Sequence, residues 1–222
     1  MASKECMVIS LLVVALISVI VVGMILSEKD EKVPCYFVFG DSLSDNGNNN
    51  NLETSIKANF SPYGHDFPNG PTGRFTNGKT MHDFLAEHFG IHDYIPPFAI
   101  AKDNESVNVT QGVNYASGWA GIRDESGQRL GVRIPLNEQL RNHKIIVSRI
   151  SKKMGDSAAK KHLSECIYAL QIGGNDYTDN FFQPEHYNTS HQYTQEHHVT
   201  GQPICRIGTD TITPKLGIDT LP

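Results

Sequence analysis

The chain has 222 residues, enough for one large domain or two small ones. Its 19 lysines and arginines and 24 aspartates and glutamates give a net charge of −5. The chain therefore lacks the positive charge with which proteins neutralise a phosphate backbone, and we expect no nucleic acid among its partners. The hydrophobic fraction is 39%, but much of it is concentrated near the amino terminus, so the remaining residues are comparatively poor in apolar side chains.

The first 27 residues have the pattern of a secretory leader. A short segment with Lys4 precedes an apolar stretch over residues 7–26, and Ser27 follows before a charged run. The apolar stretch is long enough to cross a bilayer, and small residues are poorly placed for cleavage. A signal peptide over residues 1–27 is the preferred interpretation, with an uncleaved signal anchor and a buried core helix as alternatives. An uncleaved leader would be the only membrane contact we expect.

Four asparagines in Asn-x-Ser/Thr acceptors follow this leader, and together they favour an exported glycoprotein. These are Asn59, Asn104, Asn108 and Asn188. Apart from Cys6 in the leader, the cysteines are Cys35, Cys166 and Cys205, an odd number without the spacing of a metal site. We predict a secreted, extracellular protein that holds no metal ion.

Two continuous apolar runs, at residues 36–39 and 167–172, predict strands that are buried on both faces of a parallel sheet. A shorter strand is predicted at residues 113–115. All three runs are followed by polar, glycine-containing segments. Because sites in such sheets lie beyond the carboxyl ends of the strands, Ser42, Gly118 and Asn175 are the candidate site residues.

Three helices are predicted between these strands. Thr80 caps a helix that extends to about Phe89, with Phe84, Leu85 and either His88 or Phe89 on one side. An amphipathic helix over residues 135–151 and a short helix over residues 157–164 follow. The alternation of strands and helices indicates an α/β fold.

The three candidate residues fit the chemistry of a serine hydrolase. Ser42 follows a buried strand at a predicted helix start, where its own N–H can face a developing oxyanion. A glycine allows a second backbone N–H to approach closely, and the Asn175 amide offers a third donor. The chain has no G-x-S-x-G elbow, which disfavours an α/β-hydrolase of the lipase type.

Three segments resemble sequence blocks of the plant GDSL esterase/lipase family, in the SGNH hydrolase superfamily. They are FGDSLSDNGNNN at 39–50, GVNYASG at 112–118 and IGGNDY at 172–177. The blocks occur in the family order, and the likeness extends from about Pro34 to about Thr194. We therefore interpret residues 34–196 as the N-terminal part of a GDSL hydrolase domain.

The resemblance implies a flavodoxin-like three-layer α/β/α fold with a parallel sheet. It also implies hydrolysis of small-molecule or lipid esters through an acyl-serine intermediate, without a cofactor. Ser42 would be the nucleophile, with Gly118 and Asn175 in the oxyanion hole. Trp119 departs from the family pattern, which often has a small residue there; its indole either narrows the acyl pocket or packs on the domain surface.

The base that the family uses is missing from the sequence. The family carries it in an Asp-x-x-His motif near the carboxyl terminus, but none of the ten histidines follows an acidic residue at that spacing. Residues 197–222 carry no helix or strand pattern, so we interpret them as a divergent tail and the fold as incomplete at its carboxyl end. His197 and His198 are expected to be solvated loop residues rather than metal ligands.

The function is therefore predicted as that of a serine ester hydrolase whose missing base leaves this chain weak or inactive. A non-catalytic secreted binding protein and a membrane-anchored interaction protein are the alternatives. A flavodoxin-like sheet would make the two long strands neighbours. On that basis Cys35 and Cys166, which precede them, are predicted to form a disulfide and to leave Cys205 free.

Overall fold

The computed structural model describes residues 33–192. The leader predicted at 1–27, the tail predicted at 197–222 and Cys205 lie outside the described residues. Within that range, no helix combines the length and the apolar character needed to span a bilayer.

The described residues alternate between strands and helices. In chain order these are β1 (Tyr36–Gly40), α1 (Met81–His88), α2 (Phe98–Ala101), α3 (Leu136–Met154), α4 (Asp156–Ser164), β2 (Ile167–Gln171) and α5 (Gly174–Asp176). Shorter 3₁₀ turns occur at Val109–Gln111, Gln128–Leu130 and Asn188–His191, and a π turn at Tyr177–Phe181. Both long strands and all three predicted helices are present within a few residues of their predicted bounds.

The sheet is parallel and has β1 at its centre. β1 pairs with β2 in register from Tyr36 opposite Ile167 to Gly40 opposite Gln171. Segment 113–117, which includes the predicted short strand, lies along the other edge of β1. There the Val38 N–H donates to the Val113 carbonyl (3.1 Å), and the Val38 carbonyl accepts from the Tyr115 N–H (2.7 Å).

Helices cover both faces of β1, because successive side chains of a strand point in opposite directions. One face carries Cys35, Phe37 and Phe39, which pack with Leu136, Ile146 and Ile150 of α3. The other face carries Tyr36 and Val38, which pack with Ala86 of α1 and with Ile91 and Ile95. The layers are helix, sheet and helix, as the three-layer α/β prediction required.

The predicted disulfide is present. Cys35 and Cys166 are bonded, with their Cα atoms 4.8 Å apart. These residues directly precede β1 and β2, so the bond joins the amino-terminal ends of the paired strands. His162 completes a group of possible metal ligands with the two cysteines, but the disulfide consumes both thiols.

The buried face of α1 differs in part from the prediction. Phe84 is 58% exposed and His88 is also exposed, whereas the buried face of the helix carries His82, Asp83 and Ala86. The apolar residues were expected to mark the inner face. Leu85 and Phe89 do pack against the apolar core beside Tyr36 and Val38. Two polar residues share this face, because both find hydrogen-bond partners inside the protein.

The helix predicted to begin near Ser42, directly after β1, is reduced to a single turn. The Asp45 N–H donates to the Asp41 carbonyl (2.9 Å), which closes one helical turn, and no longer helix follows before α1. Strand β2, predicted to be covered on both faces, is half-buried along its whole length. Within the described range it pairs with β1 alone, so its second edge has no strand beside it.

Candidate active site

The end of β1 is held by a side chain that the sequence analysis did not identify. Gln139, fully buried on α3, accepts a hydrogen bond from the Gly40 N–H (3.0 Å) and donates one to the Gly40 carbonyl (2.8 Å). A Cβ on Gly40 would lie 2.6 Å from Ser44 Oγ and 2.7 Å from the Gln171 carbonyl oxygen, so only glycine fits. The sequence did hold a signal for this contact, since Gln139 is a polar residue on the apolar face of the helix predicted over residues 135–151.

Ser42 lies in the turn directly after Gly40, whose backbone is held by Gln139. The Asp41 carboxylate accepts a hydrogen bond from the Leu43 N–H (3.1 Å), which fixes the turn around the serine. The Ser42 side chain is half-buried and forms no hydrogen bond with any described residue. None of the eight histidines between residues 33 and 192 bonds to its hydroxyl, so no described group activates it as a base.

A serine–histidine pair does exist nearby, but it is sealed inside the protein. Tyr36 donates its O–H to His82 Nδ1 (2.6 Å), His82 Nε2 lies 2.9 Å from Ser44 Oγ, and Ser44 donates to Gln171 Oε1 (3.1 Å). Burial lowers the pKa of His82 and raises the pKa of Tyr36 to about 12. The neutral imidazole therefore links β1, α1 and β2. Because Ser44 has no solvent access, this serine–histidine pair has a structural role.

Asp45 connects the serine turn to the second sequence block. Its Oδ1 accepts from the N–H groups of Gly47 and Asn48, both at 2.8 Å, and its Oδ2 accepts from the Gly118 N–H at 2.9 Å. Burial raises the pKa of this carboxyl to about 6, although the backbone N–H groups partly offset the effect. Asp45 is thus a bridge between two loops.

This bridge bears directly on the oxyanion prediction for Gly118. Its N–H is already donated to Asp45, and a Cβ there would lie within 2.9 Å of Phe75, Asn49 and Ile56. Glycine is thus required at this position by close packing. The donor expected from Gly118 is committed to the loop in this structure.

Trp119, the departure from the family pattern, has an unusual backbone conformation. Its φ is +64°, a left-handed value that is rare for bulky residues. Within the described residues its backbone N–H donates to no acceptor, and its buried indole Nε1 has no partner. The side chain as a whole is half-buried.

Asn175 follows β2, in the turn of α5. Its Nδ2 donates to the Ala120 carbonyl (2.9 Å), which uses one of its two amide hydrogens and ties the third block to the second. The neighbouring Asp176 accepts from the Ile122 N–H (2.8 Å) and from Ser126 Oγ (2.7 Å). Asp176 thus anchors the loop after the second block.

The asparagine-rich segment is a buried scaffold rather than a linker. Asn48 Nδ2 donates to the carbonyls of Asn114 (2.9 Å) and Ala116 (2.8 Å). Asn49 Nδ2 donates to the Gly118 carbonyl (3.2 Å). These bonds hold the serine loop against the second block, so the low-complexity sequence is part of the site's architecture.

Comparison with known proteins places these blocks in one family. The family model "GDSL-like Lipase/Acylhydrolase" matches residues 36–201. Among curated proteins of Arabidopsis thaliana, GDSL esterase/lipase At2g19010 is 47% identical over 169 residues, which is 76% of this chain and 46% of that protein. GDSL esterase/lipase At5g45670 is 47% identical over 186 residues, which is 83% of this chain and 51% of that protein.

The chain spans about half the length of the curated relatives that it matches. No solved structure gives a significant match. The family model covers most of the chain, including all three sequence blocks. The chain therefore belongs to the family of GDSL-like lipases and acylhydrolases.

Proposed function

We propose that this chain carries the nucleophile of a GDSL-type ester hydrolase and that Ser42 attacks the carbonyl carbon of acyl esters. The observation that carries this proposal is the position of Ser42, half-exposed and without a hydrogen-bond partner among the described residues, at the carboxyl end of the central strand. Gly40, clamped by Gln139, fixes the backbone just before it. A small-molecule or lipid ester is the expected substrate.

The proposed reaction proceeds through an acyl-serine. Ser42 Oγ forms a bond to the ester carbonyl carbon while a base removes the hydroxyl proton, and the alcohol leaves as the tetrahedral intermediate collapses. Water then releases the acid and regenerates the serine. Because no Asp-x-x-His motif occurs in the sequence, we expect the first step to be slow in the 222-residue chain.

We propose a set of oxyanion donors that differs from the sequence prediction at one residue, Gly118. Gly118 donates its N–H to Asp45, whereas the next N–H along the chain, that of Trp119, has no acceptor among the described residues. We assign the second donor to Trp119. The backbone N–H of Ser42 and the second amide hydrogen of Asn175 complete the set.

The test uses the purified 222-residue chain with a serine-directed fluorophosphonate probe and with p-nitrophenyl acetate. Ser42→Ala is the test variant, and Ser148→Ala, an exposed serine of α3, is the matched control. We expect slow labelling and slow hydrolysis, both of which Ser42→Ala abolishes and Ser148→Ala retains. Residual catalysis of about 10³–10⁴-fold over water is the level left in triad enzymes without a base.

Ser42-dependent hydrolysis at ordinary enzymatic rates would contradict the inference that this chain lacks a general base. Labelling that persists in Ser42→Ala would overturn the nucleophile assignment. Supplying a downstream segment with an Asp-x-x-His motif in the same chain should increase Ser42-dependent turnover by orders of magnitude, because a triad loses most of its rate when one member is absent.

A non-catalytic binding role is the second candidate. It is favoured by the absence of an Asp-x-x-His base from the sequence and by the engagement of Gly118 with Asp45. Absence of probe labelling in a chain that unfolds cooperatively would support this role over hydrolysis. A membrane-anchored interaction protein is distinguished by fractionation, since it would remain with membranes after a salt wash.

We also propose that the protein is exported and glycosylated. The support is that Asn59, Asn104, Asn108 and Asn188 are all exposed, and that the Cys35–Cys166 disulfide is typical of oxidising compartments. Expression in plant cells should give a mass increase that a glycosidase removes and that substitution of the four asparagines by glutamine prevents. An unshifted cytosolic product would contradict export.

A further inference from the structure

The charge of the chain is unevenly distributed. Helices α3 and α4 and the residue that joins them, residues 136–164, contain seven lysines and arginines but only two acidic residues, a net charge of +5. Because the whole chain carries −5, all the other residues together carry −10. A local excess of positive charge in an acidic chain indicates a surface for an anionic partner.

The two helices present this charge on one side of the molecule. Ile146 and Ile150 of α3 belong to the same buried core cluster as Ala159 and Leu163 of α4. Both helices therefore cover the same face of the sheet, and their outer sides face the solvent together. Five exposed lysines of these helices form what we call the lysine face: Lys144, Lys152, Lys153, Lys160 and Lys161.

Neighbouring carboxylates do not neutralise the lysine face. None of its five ammonium groups forms an ion pair with any residue between 33 and 192. The two arginines of these helices are already engaged. Arg141 pairs with Glu138, and Arg149 donates to the carbonyls of Ala101 and Asn104. The cations that are free to meet a partner are therefore all lysines.

This composition disfavours a nucleic acid as the partner. Phosphate groups are bound preferentially by arginine, whose planar guanidinium donates two parallel hydrogen bonds, and neither arginine of the two helices is free to do so. Duplex DNA also carries one negative charge per ~1.7 Å of its axis. The net charge of −10 on the rest of the chain would repel such a dense polyanion.

Insertion into a membrane surface is disfavoured as well. A helix that lies in the bilayer interface buries an apolar face there. The apolar face of α3 is instead packed in the protein core. Among the large apolar residues of α3 and α4, only Ile145 and Met154 are exposed.

A hydrated polymer with single, spaced carboxylates suits the lysine face better. Lys144 and Lys152 are eight residues apart, about 12 Å along the helix axis, and the lysines of α4 extend the series beyond α3. Each is a compact charge that a separate carboxylate can meet. We propose that the lysine face binds a linear acidic polysaccharide of the polyuronate class. Polyuronates are extracellular polymers, so this choice rests in part on the proposed export.

The test is the binding of the full 222-residue chain to immobilised polygalacturonate, measured by biolayer interferometry. Fully methyl-esterified polygalacturonate, which has the same backbone without the charges, is the matched control ligand. Vesicles of equal parts phosphatidylcholine and phosphatidylserine, and duplex DNA, are tested beside it as other polyanions.

Two pairs of substitutions remove charge from the lysine face: Lys152→Gln with Lys160→Gln, and Lys144→Gln with Lys161→Gln. Lys57→Gln with Lys102→Gln removes the same amount of charge outside α3 and α4 and is the matched control. Thermal unfolding of each variant establishes that it is folded.

We expect saturable binding to polygalacturonate that methyl esterification abolishes and added salt weakens. Each pair of substitutions in the lysine face should weaken binding about tenfold, and the control pair should leave it unchanged. Ser42→Ala should bind as the parent chain does, so a failure of the proposed esterase function would not affect this result. The proposal is overturned if polygalacturonate does not bind, if the control pair weakens binding as much as the other two, or if vesicles or DNA bind more tightly.

Discussion

The two paired strands have similar apolar sequences but different surroundings. All five residues of β1 (Tyr36–Gly40) are buried, whereas all five residues of β2 (Ile167–Gln171) are half-buried. β1 has a neighbour along each edge and a helix layer on each face, and β2 has one neighbouring strand within the described range. An apolar run thus predicts a strand, but the neighbours of that strand determine how much of it is buried.

The disulfide is the strongest test of how far β2 depends on β1. The bond closes a loop of 131 residues in sequence separation, and replacing Cys35 and Cys166 by alanine should cost about 3–5 kcal/mol of unfolding free energy. Urea denaturation measures the loss. A reductant should weaken the parent chain by a similar amount and leave the double variant unchanged; equal stability of the two chains would contradict the role of the bond.

The contrast between the strands can be measured at two residues that face each other in the register. Phe37 is fully buried and stacks on Tyr168, with ring centroids 5.3 Å apart, while Tyr168 is half-buried. We expect Phe37→Ala to lower the unfolding free energy by about 3–5 kcal/mol and Tyr168→Ala by about half as much. Equal losses in urea titrations would mean that β2 is as well covered as β1.

The loop after β1 buries a carboxyl, so the stability of the β1 region should depend on pH. The pKa of Asp45 is raised from 3.8 to about 6, so between these values the folded chain holds a proton that the unfolded chain has released. Stability should therefore fall as pH rises from about 4 to 6, by about 3 kcal/mol in total. Asp45→Asn removes this dependence, and the difference between the two urea–pH profiles isolates it. Parallel profiles would contradict the raised pKa.

The smallest expected effect concerns a helix that covers β1. Thr80 caps α1 reciprocally with Asp83, whereas α4, which leads to β2, has no side-chain cap. Thr80→Ala should cost about 1 kcal/mol by urea denaturation. Ser157→Ala in the first turn of α4 is the matched control and should be close to neutral. If Thr80→Ala leaves the unfolding free energy unchanged, packing alone maintains α1.

The sequence was sufficient for the elements and the order of the site segments but not for the internal polar contacts. Periodicity located β1, β2 and α3, because burial of apolar side chains sets those patterns. Gln139 was visible in the sequence as a polar residue on an apolar helix face. Its partner Gly40 and the Asp45–Gly118 bond could not be predicted, since each contact depends on backbone groups that only the folded chain brings near. The inner face of α1 was predicted only in part, because the partners of the buried His82, Tyr36 and Ser44, lie far from it in the sequence.

The four consecutive asparagines at 48–51 show how a repetitive sequence can carry position-specific information. Asn48 reaches the carbonyls of Asn114 and Ala116, Asn49 that of Gly118, and Asn50 that of Thr72. Each of these three amides thus has its own carbonyl partners. Inserting a fifth asparagine would leave the composition nearly unchanged but would move every later amide away from its carbonyl, so the segment tolerates neither slippage nor expansion.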